Sequence, residues 1–557
     1  MKGKGRRFWK NHGWRVLLLA FASAVLLRLA FPKYALFPLA YVALVPLFLA
    51  LFSLERPLDG LFAGIVFGVI FHYSNIFWLN TVAAYNPFAL VGIFLLGIYL
   101  GLFPGIFGWA SIVILKRSPR LSVLLLPSLW VILEYLRSIG QLAFPWSFVS
   151  ASQAPFPEII QIAELTGTWG ISFLIVLVNF VLALFLSDLI RRERLKPHIP
   201  RLFFALGLFL LVLFFGMVRM KYGSFNGPKE IRVAICQPNI PQKLKFASYA
   251  GSAQERQHLP SVLRAINFSL LDELEDHSVD LAILPESAFT SPYFGYQSAL
   301  LGNLSSEARR LSAAILVGAN REIFFDKQGK RTTKREEISN VGVYNSAWYF
   351  PPDGSPDISC YDKIQLVPFG EHLPYFDLIP GFQRIIVQTG SFLKGDRYTL
   401  FPVYFLAGEK KTTPTLQGIE PAFHFGTVIC FESGFGRLFR RYARKGADFF
   451  VIITNDGWYE ESAGPFQHNQ LAVFRAVETR RWVLRCSNRG ISGAINPRGE
   501  FVKQTPLNEK ALLHASIFPA ENRTGYRIWG NLFIWLLIFF CLGEWLLHFK
   551  AGRKKKK

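Results

Sequence analysis

Cysteine is scarce in this sequence, and its distribution excludes two common uses of the residue. The 557 residues contain five cysteines, namely Cys236, Cys360, Cys430, Cys486 and Cys541. An odd and widely scattered set is not a disulfide framework, and no pair has the spacing of metal ligands. We therefore expect no disulfides, no metal site and no cofactor, and the free thiols need a chemical explanation.

The chain also lacks a small-residue cleavage site after its first apolar run, so we expect an uncleaved helix there rather than a signal peptide. Long apolar blocks precede Tyr222, and one shorter block follows Trp529. A transmembrane helix needs roughly 20 apolar residues to cross about 30 Å of hydrocarbon. Eight segments are candidates: residues 14–29, 35–51, 61–78, 90–115, 121–136, 170–190, 201–218 and 529–547.

Basic residues are nearly absent from alternate loops, including residues 80–87 and 140–158. They cluster instead at residues 2–7, 116–120, 191–196 and 553–557. The positive-inside rule then predicts that both termini are cytoplasmic and that residues 221–528 are extracytoplasmic. The net charge of +23 could indicate nucleic-acid binding, but much of it lies at helix ends, where anionic lipid explains it better. We expect a membrane protein without a nucleic-acid partner.

The apolar pattern changes to short runs bounded by Gly, Pro, Asn and Asp from Ile231 onward. Such runs predict strands at residues 231–237, 281–285, 314–319, 346–350, 423–431, 449–454, 482–486 and 493–496. Helical patterns lie between them, at residues 259–274, 301–312, 435–445 and 466–480. We predict an α/β or α+β layered domain over residues 221–527. It follows a seven-helix membrane domain over 1–220 and precedes an eighth helix and basic tail over 528–557.

Three predicted strands lead into residues of reactive type. The segments are LAILPES with Glu286, YDKIQLVPFGEHLPY with Lys363, and GTVICFES with Cys430. Each residue alone has an ordinary alternative. Glu286 could be a surface carboxylate, Lys363 a solvated cation, and Cys430 a small buried apolar residue.

Taken together, these segments resemble the nitrilase superfamily, because the residues follow its Glu-Lys-Cys order with Pro285 and Tyr361 in the flanks. The resemblance implies an αββα sandwich. It also implies that Glu286 is the general base and that Cys430 forms a thioester. Lys363 and the backbone N–H of Phe431 would face the oxyanion of the tetrahedral intermediate.

The membrane half resembles a narrower family, the apolipoprotein N-acyltransferases. The similar motifs are Glu134-Tyr-Leu-Arg137, Phe144-Pro-Trp146 and Gly167-Thr-Trp-Gly170. This resemblance implies a bacterial inner-membrane enzyme that takes an acyl chain from a phospholipid. The chain would pass to the N-terminal amine of the diacylglyceryl-cysteine of an apolipoprotein, and we expect the enzyme to be a monomer.

The same resemblance assigns supporting roles near the triad. Glu371 would support Lys363 and the thiol, and Asn345 would line the site. Phe431 and Glu432 occupy the place of an aromatic-Glu pair in which the family commonly has Tyr. Phe246 stands where a Trp is expected.

Several positions keep two interpretations. Glu134 and Arg137 either recognise a headgroup or lipoprotein, or form a snorkelling pair that stabilises the bundle. Trp146 and Trp169 are either interfacial anchors or substrate-lining residues, and lining is favoured for Trp146. His468 is expected to fill a satisfied surface or packing role rather than a catalytic one. Residues 371–392 form either a packed loop or an apolar lid.

Two other functions compete with acyl transfer. In a membrane-bound amidase or hydrolase, water would replace the amine as the group that resolves the thioester. A receptor or assembly factor on a retired nitrilase scaffold is the non-enzymatic alternative, and the intact triad argues against it.

Overall fold

The computed structural model describes residues 2–275, 278–289, 299–328, 330–332, 337–375, 392–405, 416 and 419–554. The chain divides into two compact units. The helical unit comprises Met1–Gly223 and Thr524–Lys557, and the sandwich unit comprises Ser224–Arg523. Among the described residues, the regular elements of the helical unit are helices, whereas the sandwich unit combines β-strands with helices.

Apolar helices make up the helical unit. In chain order they are α1 (Lys2–Leu29), α2 (Val45–Phe52), α3 (Pro57–Asn75), α4 (Ala89–Arg117), α5 (Ser122–Leu136), the short α6 (Pro157–Ile160) and α7 (Ala163–Thr166), α8 (Trp169–Arg191) and α9 (Ile199–Tyr222). After the sandwich unit come α15 (Gly525–Trp529) and α16 (Leu532–Lys554). All eight predicted segments contain helix.

Within the described residues, four helical segments are both long and apolar enough to span a membrane, namely Pro57–Asn75, Ala89–Arg117, Trp169–Arg191 and Lys196–Tyr222. The expectation of one continuous helix over residues 35–51 was wrong. That segment forms a 3-10 helix, Phe37–Tyr41, and then α2. Pro38 and Pro46 lie in the first turns of these two pieces, since proline fits a first helical turn but interrupts a helix interior. The count of eight spans stays a prediction.

Glycines bring α3 and α4 into unusually close contact. A Cβ atom on Gly64 would lie 2.1 Å from the carbonyl oxygen of Pro104, and one on Gly60 would lie 2.5 Å from that of Gly108. Small residues allow such backbone approach between apolar helices. Helices α3 and α4 therefore pack closely because glycine has no side chain at these contacts.

Two six-stranded sheets form the sandwich unit. The strands are β1 (Ile231–Gln237), β2 (Leu281–Ile283), β3 (Ala314–Phe325), β4 (Asn340–Phe350), β5 (Ser359–Asp362), β6 (Leu400–Val403), β7 (Phe423–Ile429), β8 (Phe449–Thr454), β9 (Val483–Ser487), β10 (Gly493–Ile495), β11 (Phe501–Gln504) and β12 (Ala511–Ile517). The strand orders are β12-β1-β2-β3-β4-β5 and β11-β10-β9-β8-β7-β6.

The sheets pack face to face, and helices cover their outer faces. Tyr349 of the first sheet stacks on Phe401 of the second with ring centroids 5.4 Å apart. Helices α11 (Ala253–Asp272) and α12 (Ala299–Leu311) share an apolar core with the first sheet. Helix α13 (Gly436–Lys445) lies on the second sheet, where Phe439 contacts Phe450, and α14 (Gly464–Thr479) follows β8. The predicted αββα sandwich is confirmed.

The structure differs from the predicted elements mainly at short strands, at one helix and at one strand end. Strands β5, β6, β11 and β12 were not predicted, nor was α10 (Gln242–Ala250). The strand expected over residues 423–431 ends at Ile429, and a 3-10 turn from Cys430 to Gly434 replaces its last residues. That turn carries the predicted nucleophile.

Candidate active site

Three strands end next to the residues of the predicted triad. Lys363 follows β5 directly, Cys430 follows β7 directly, and Glu286 lies three residues beyond the end of β2. All three residues are buried: Glu286 is 7%, Lys363 0% and Cys430 8% exposed. The strand ends thus place a carboxyl group, an amine and a thiol in the interior of the sandwich unit.

The backbone is constrained at two of these positions. Cys430 has φ of +52°, and Ser287, next to Glu286, has φ of +50°. Residues other than glycine enter this left-handed region at a cost, and such strain concentrates at functional turns. Gly318 makes room for Glu286, because a Cβ atom there would lie 2.5 Å from the Glu286 Cα atom.

Two carboxylates share one cation and one amide. The Lys363 Nζ atom lies 2.7 Å from Glu371 Oε1 and 3.8 Å from Glu286 Oε1. Asn345 Nδ2 donates to Glu286 Oε1 at 2.7 Å and to Glu371 Oε1 at 3.3 Å. Glu371 Oε2 accepts from the backbone N–H of Val367 at 2.9 Å. The predicted residues Asn345 and Glu371 therefore belong to the same network as Glu286 and Lys363.

Burial and charge set the resting protonation of the thiol and the amine. Burial and, to a smaller extent, the nearby Glu286 raise the pKa of Cys430 to about 12, although Lys363 acts in the opposite direction. Burial alone would lower the pKa of Lys363, but Glu371 and Glu286 outweigh it, so this pKa lies above its ordinary value. The resting site therefore holds a neutral thiol beside an ammonium group, and the thiol needs a base before it can attack.

Glu432 joins the segments that carry Lys363 and Cys430. Its Oε1 accepts from the backbone N–H groups of Ile364 and Gln365, each at 2.8 Å. Its Oε2 accepts from the N–H of Ile429 at 2.8 Å, and the Tyr361 hydroxyl lies 2.8 Å from both oxygens. Burial raises the pKa of Glu432 to about 7, against the pull of these donors. The side chain is a structural link between the turns that carry Lys363 and Cys430.

His468 supports the turn of Cys430 from the other side. It is fully buried, so a surface role is wrong. Its Nε2 lies 3.1 Å from the Cys430 carbonyl oxygen and 2.8 Å from Ser433 Oγ, and its Nδ1 lies 2.9 Å from Asp456 Oδ1. Asp456 also accepts from Arg485. Both ring nitrogens are thus satisfied within the protein.

Other predicted residues lie in the helical unit. Trp146 is buried and packs on Trp78, with ring centroids 5.4 Å apart. Trp169 is also buried and meets Phe148 at 5.2 Å, so it is not an exposed interfacial anchor. The lining role of Trp146 stays a prediction.

Glu134 and Arg137 are not a snorkelling pair, because they are only 4% and 3% exposed. Arg137 donates to the carbonyl oxygens of Phe144 and Ser147, at 3.2 and 2.9 Å. Glu134 accepts from the N–H of Val149 at 2.8 Å. Both charged side chains therefore stabilise the loop that contains Trp146 through hydrogen bonds to its backbone.

The structure describes the predicted residue Phe431 fully, but it describes the expected loop or lid only in part. Phe431 is buried beside Phe435 at a centroid distance of 5.3 Å. Of the expected loop or lid over residues 371–392, residues 376–391 lie outside the described residues.

Sequence analysis missed Lys245, which is 1% exposed and donates to the backbone carbonyl oxygen of Glu286 at 3.3 Å. Its place in a polar-looking stretch next to exposed Lys243 gives no sign of burial. The match of the preceding residues to the family's opening strand was the available signal.

Two family profiles match this chain. The apolipoprotein N-acyltransferase N-terminal domain matches residues 23–181, and the carbon-nitrogen hydrolase domain matches residues 232–524. An apolipoprotein N-acyltransferase of Geobacter metallireducens is 31% identical over 537 residues, covering 94% of this chain and 93% of its own. Apolipoprotein N-acyltransferase 1 of Treponema denticola is 28% identical over 545 residues and covers 93% of each chain.

Among solved structures, Nit3 of Saccharomyces cerevisiae, a member of branch 10 of the nitrilase superfamily, is 18% identical with a TM-score of 0.34. The alignment covers 53% of this chain and 93% of Nit3. Because this likeness is distant, the fold assignment rests on the sheet topology described above and on the match to the carbon-nitrogen hydrolase domain.

Proposed function

Because the chain belongs to the apolipoprotein N-acyltransferase family and carries a carbon-nitrogen hydrolase domain, we propose that it N-acylates apolipoproteins through a thioester on Cys430. The donor is a membrane phospholipid, and the acceptor is the N-terminal amine of a diacylglyceryl-cysteine. The enzyme functions in the bacterial inner membrane. The observation that carries the proposal is the buried network in which Lys363 contacts both Glu286 and Glu371 and opposes the rise in the pKa of the Cys430 thiol.

In the first half-reaction, Glu286 accepts the thiol proton while the Cys430 sulfur attacks the ester carbonyl carbon of the phospholipid. Negative charge develops on the carbonyl oxygen, and the Lys363 ammonium and the Phe431 N–H stabilise it. The ester C–O bond then breaks, and Glu286 returns the proton to the departing lysophospholipid oxygen. The product is an acyl thioester on Cys430.

In the second half-reaction, the neutral amine of the apolipoprotein attacks the thioester carbonyl carbon. Glu286 accepts a proton from the nitrogen, and the C–S bond breaks as an amide forms. The proton returns to the sulfur, so the enzyme regains its starting state. Product leaves before the second substrate reacts, which is a ping-pong sequence.

Intact-mass spectrometry of the full-length, detergent-solubilised protein tests this proposal. After incubation with phospholipid, we expect a hydroxylamine-labile acyl adduct on Cys430 that disappears when a diacylated lipopeptide is added. Cys430→Ala is expected to lose the adduct, and Cys360→Ala, a second free cysteine of the same unit, is expected to keep it. Full lipopeptide acylation by Cys430→Ala would contradict the thioester.

The hydrolase alternative gives a different result in the same experiment. An adduct that decays equally fast in buffer, releasing fatty acid and no N-acyl lipopeptide, would show that water resolves the thioester. The family membership favours the amine.

A further inference from the structure

Lys245 is a buried lysine whose side chain contacts the backbone of Glu286. It lies in α10, immediately after the turn that follows β1, and only 1% of its surface is exposed. Its Nζ atom donates to the backbone carbonyl oxygen of Glu286 at 3.3 Å. The neighbouring Lys243, two residues earlier in the same helix, is exposed.

This ammonium group has little direct compensation. Among the described residues, Lys245 Nζ makes that one hydrogen bond and no ion pair, although an ammonium group has three donors. Burying a cation without a partner is costly. A nearby negative charge must offset part of this cost, and the carboxylate of Glu286 is the acidic group that acts on Lys245.

The charges of the site show what Lys245 adds. Glu286 and Glu371 carry two negative charges when ionised, and Lys363, which contacts both, carries one positive charge. The thiol of Cys430 is neutral at rest. A charged Lys245 therefore brings the formal charge of this buried cluster to zero.

We propose that Lys245 is a positioning residue for the reaction, a second cation that favours the ionised, proton-accepting form of Glu286. Its hydrogen bond to the Glu286 main chain fixes the cation beside the base. This inference rests on the proposed function, because it concerns the proton transfer from Cys430 to Glu286. The groups that face Lys245 are Glu286 and the Cys486 thiol. Glu286 is also faced by Lys363, which directly follows β5, and by the Cys430 thiol and the Tyr459 hydroxyl.

The direction of the pH effect follows from the sign of the charge. A cation stabilises the charged form of a neighbouring carboxyl group, so without Lys245 the Glu286 side chain takes up a proton more readily. The acidic limb of the acylation profile should then move to higher pH. Burial lowers the pKa of Lys245 itself to about 7, with Glu286 opposing, so its effect is strongest below neutral pH.

The test compares Lys245→Met and Lys245→Gln with Lys243→Met, a matched control on the same helix. The rate at which phospholipid acylates Cys430 is measured by intact mass from pH 5 to pH 9 on full-length, detergent-solubilised protein. We expect both Lys245 variants to shift the acidic limb upward by on the order of one pH unit. The rate below pH 7 should fall about tenfold, and Lys243→Met should match the wild type.

The glutamine variant separates charge from hydrogen bonding, because it keeps a donor for the Glu286 carbonyl oxygen. A wild-type pH profile for Lys245→Gln, or an equal loss of rate at every pH, would overturn the inference. Thermal unfolding of each variant identifies loss of folded protein. If the wild type itself forms no adduct on Cys430, the proposed function fails; the inference alone fails if the wild type forms it and the profiles coincide.

Discussion

Glu432 shows how one carboxylate can connect the segments that carry Lys363 and Cys430. Its oxygens accept from the N–H groups of Ile364 and Gln365, next to Lys363, and from that of Ile429, next to Cys430. A carboxylate only accepts, so both of its oxygens suit this ring of donors. A glutamine at this position would place its side-chain N–H groups against some of these backbone N–H donors.

Glu432→Gln is therefore expected to lower the free energy of unfolding by about 1–3 kcal/mol, the cost of buried donors left without an acceptor. It should also slow adduct formation on Cys430, because the two turns lose their common link. Denaturant unfolding and intact mass measure the two effects. Glu420→Gln, at an exposed position, is the control. Equal stability of both variants would contradict the linking role.

At this scale the sequence predicted the three proposed triad residues, which the structure brings together, better than the residues that surround them. Glu286, Lys363 and Cys430 could be found because each follows a strand in a recognisable segment. The burial of Lys245 and His468 could not be predicted, because tertiary packing decides it. Neither side chain is apolar, so hydrophobic periodicity carries no information about them.

At the scale of elements, the contact between α3 and α4 makes a testable contrast. Replacing glycine by alanine inside a helix ordinarily stabilises it by about 0.5–1 kcal/mol. At Gly64 of α3 the added methyl group would lie 2.1 Å from the carbonyl oxygen of Pro104 in α4, whereas at Gly92 of α4 nothing lies within 4 Å. The glycine-to-alanine substitution should thus have opposite effects on stability at the two positions.

We expect Gly64→Ala to lower the melting temperature of the detergent-solubilised protein, since overpacking costs about 1–3 kcal/mol. Gly92→Ala is expected to leave it unchanged or raise it slightly. Differential scanning fluorimetry gives both values. A Gly64→Ala protein as stable as Gly92→Ala would mean that the helices separate without cost.

The elements that could be predicted are those with long or uniformly apolar runs, such as α8 and β8. The missed strands lack that signal. Strand β6 contains Pro402, which is tolerated because β6 is the edge of its sheet. Residues 35–51 are apolar enough for one helix, and only their prolines indicate the break that the structure shows.

At the scale of the whole molecule, the sandwich unit is inserted between two apolar helices. Helix α9 precedes it and α16 follows it. The basic clusters 191–196 and 553–557 lie at the ends of these helices that are remote in sequence from the sandwich unit. If both helices cross the membrane, the positive-inside rule puts these ends in the cytoplasm and the sandwich unit outside.

Single introduced cysteines test this topology. Gln504 of β11 is exposed in the sandwich unit, and Arg120 is exposed in the loop between α4 and α5. In sealed right-side-out vesicles, a membrane-impermeant maleimide is expected to label Gln504→Cys. It should label Arg120→Cys only after the vesicles are opened. Peptide mass spectrometry distinguishes these sites from the five natural cysteines. Labelling of Arg120→Cys but not Gln504→Cys in sealed vesicles would reverse the orientation and separate Cys430 from acceptors on the outer face.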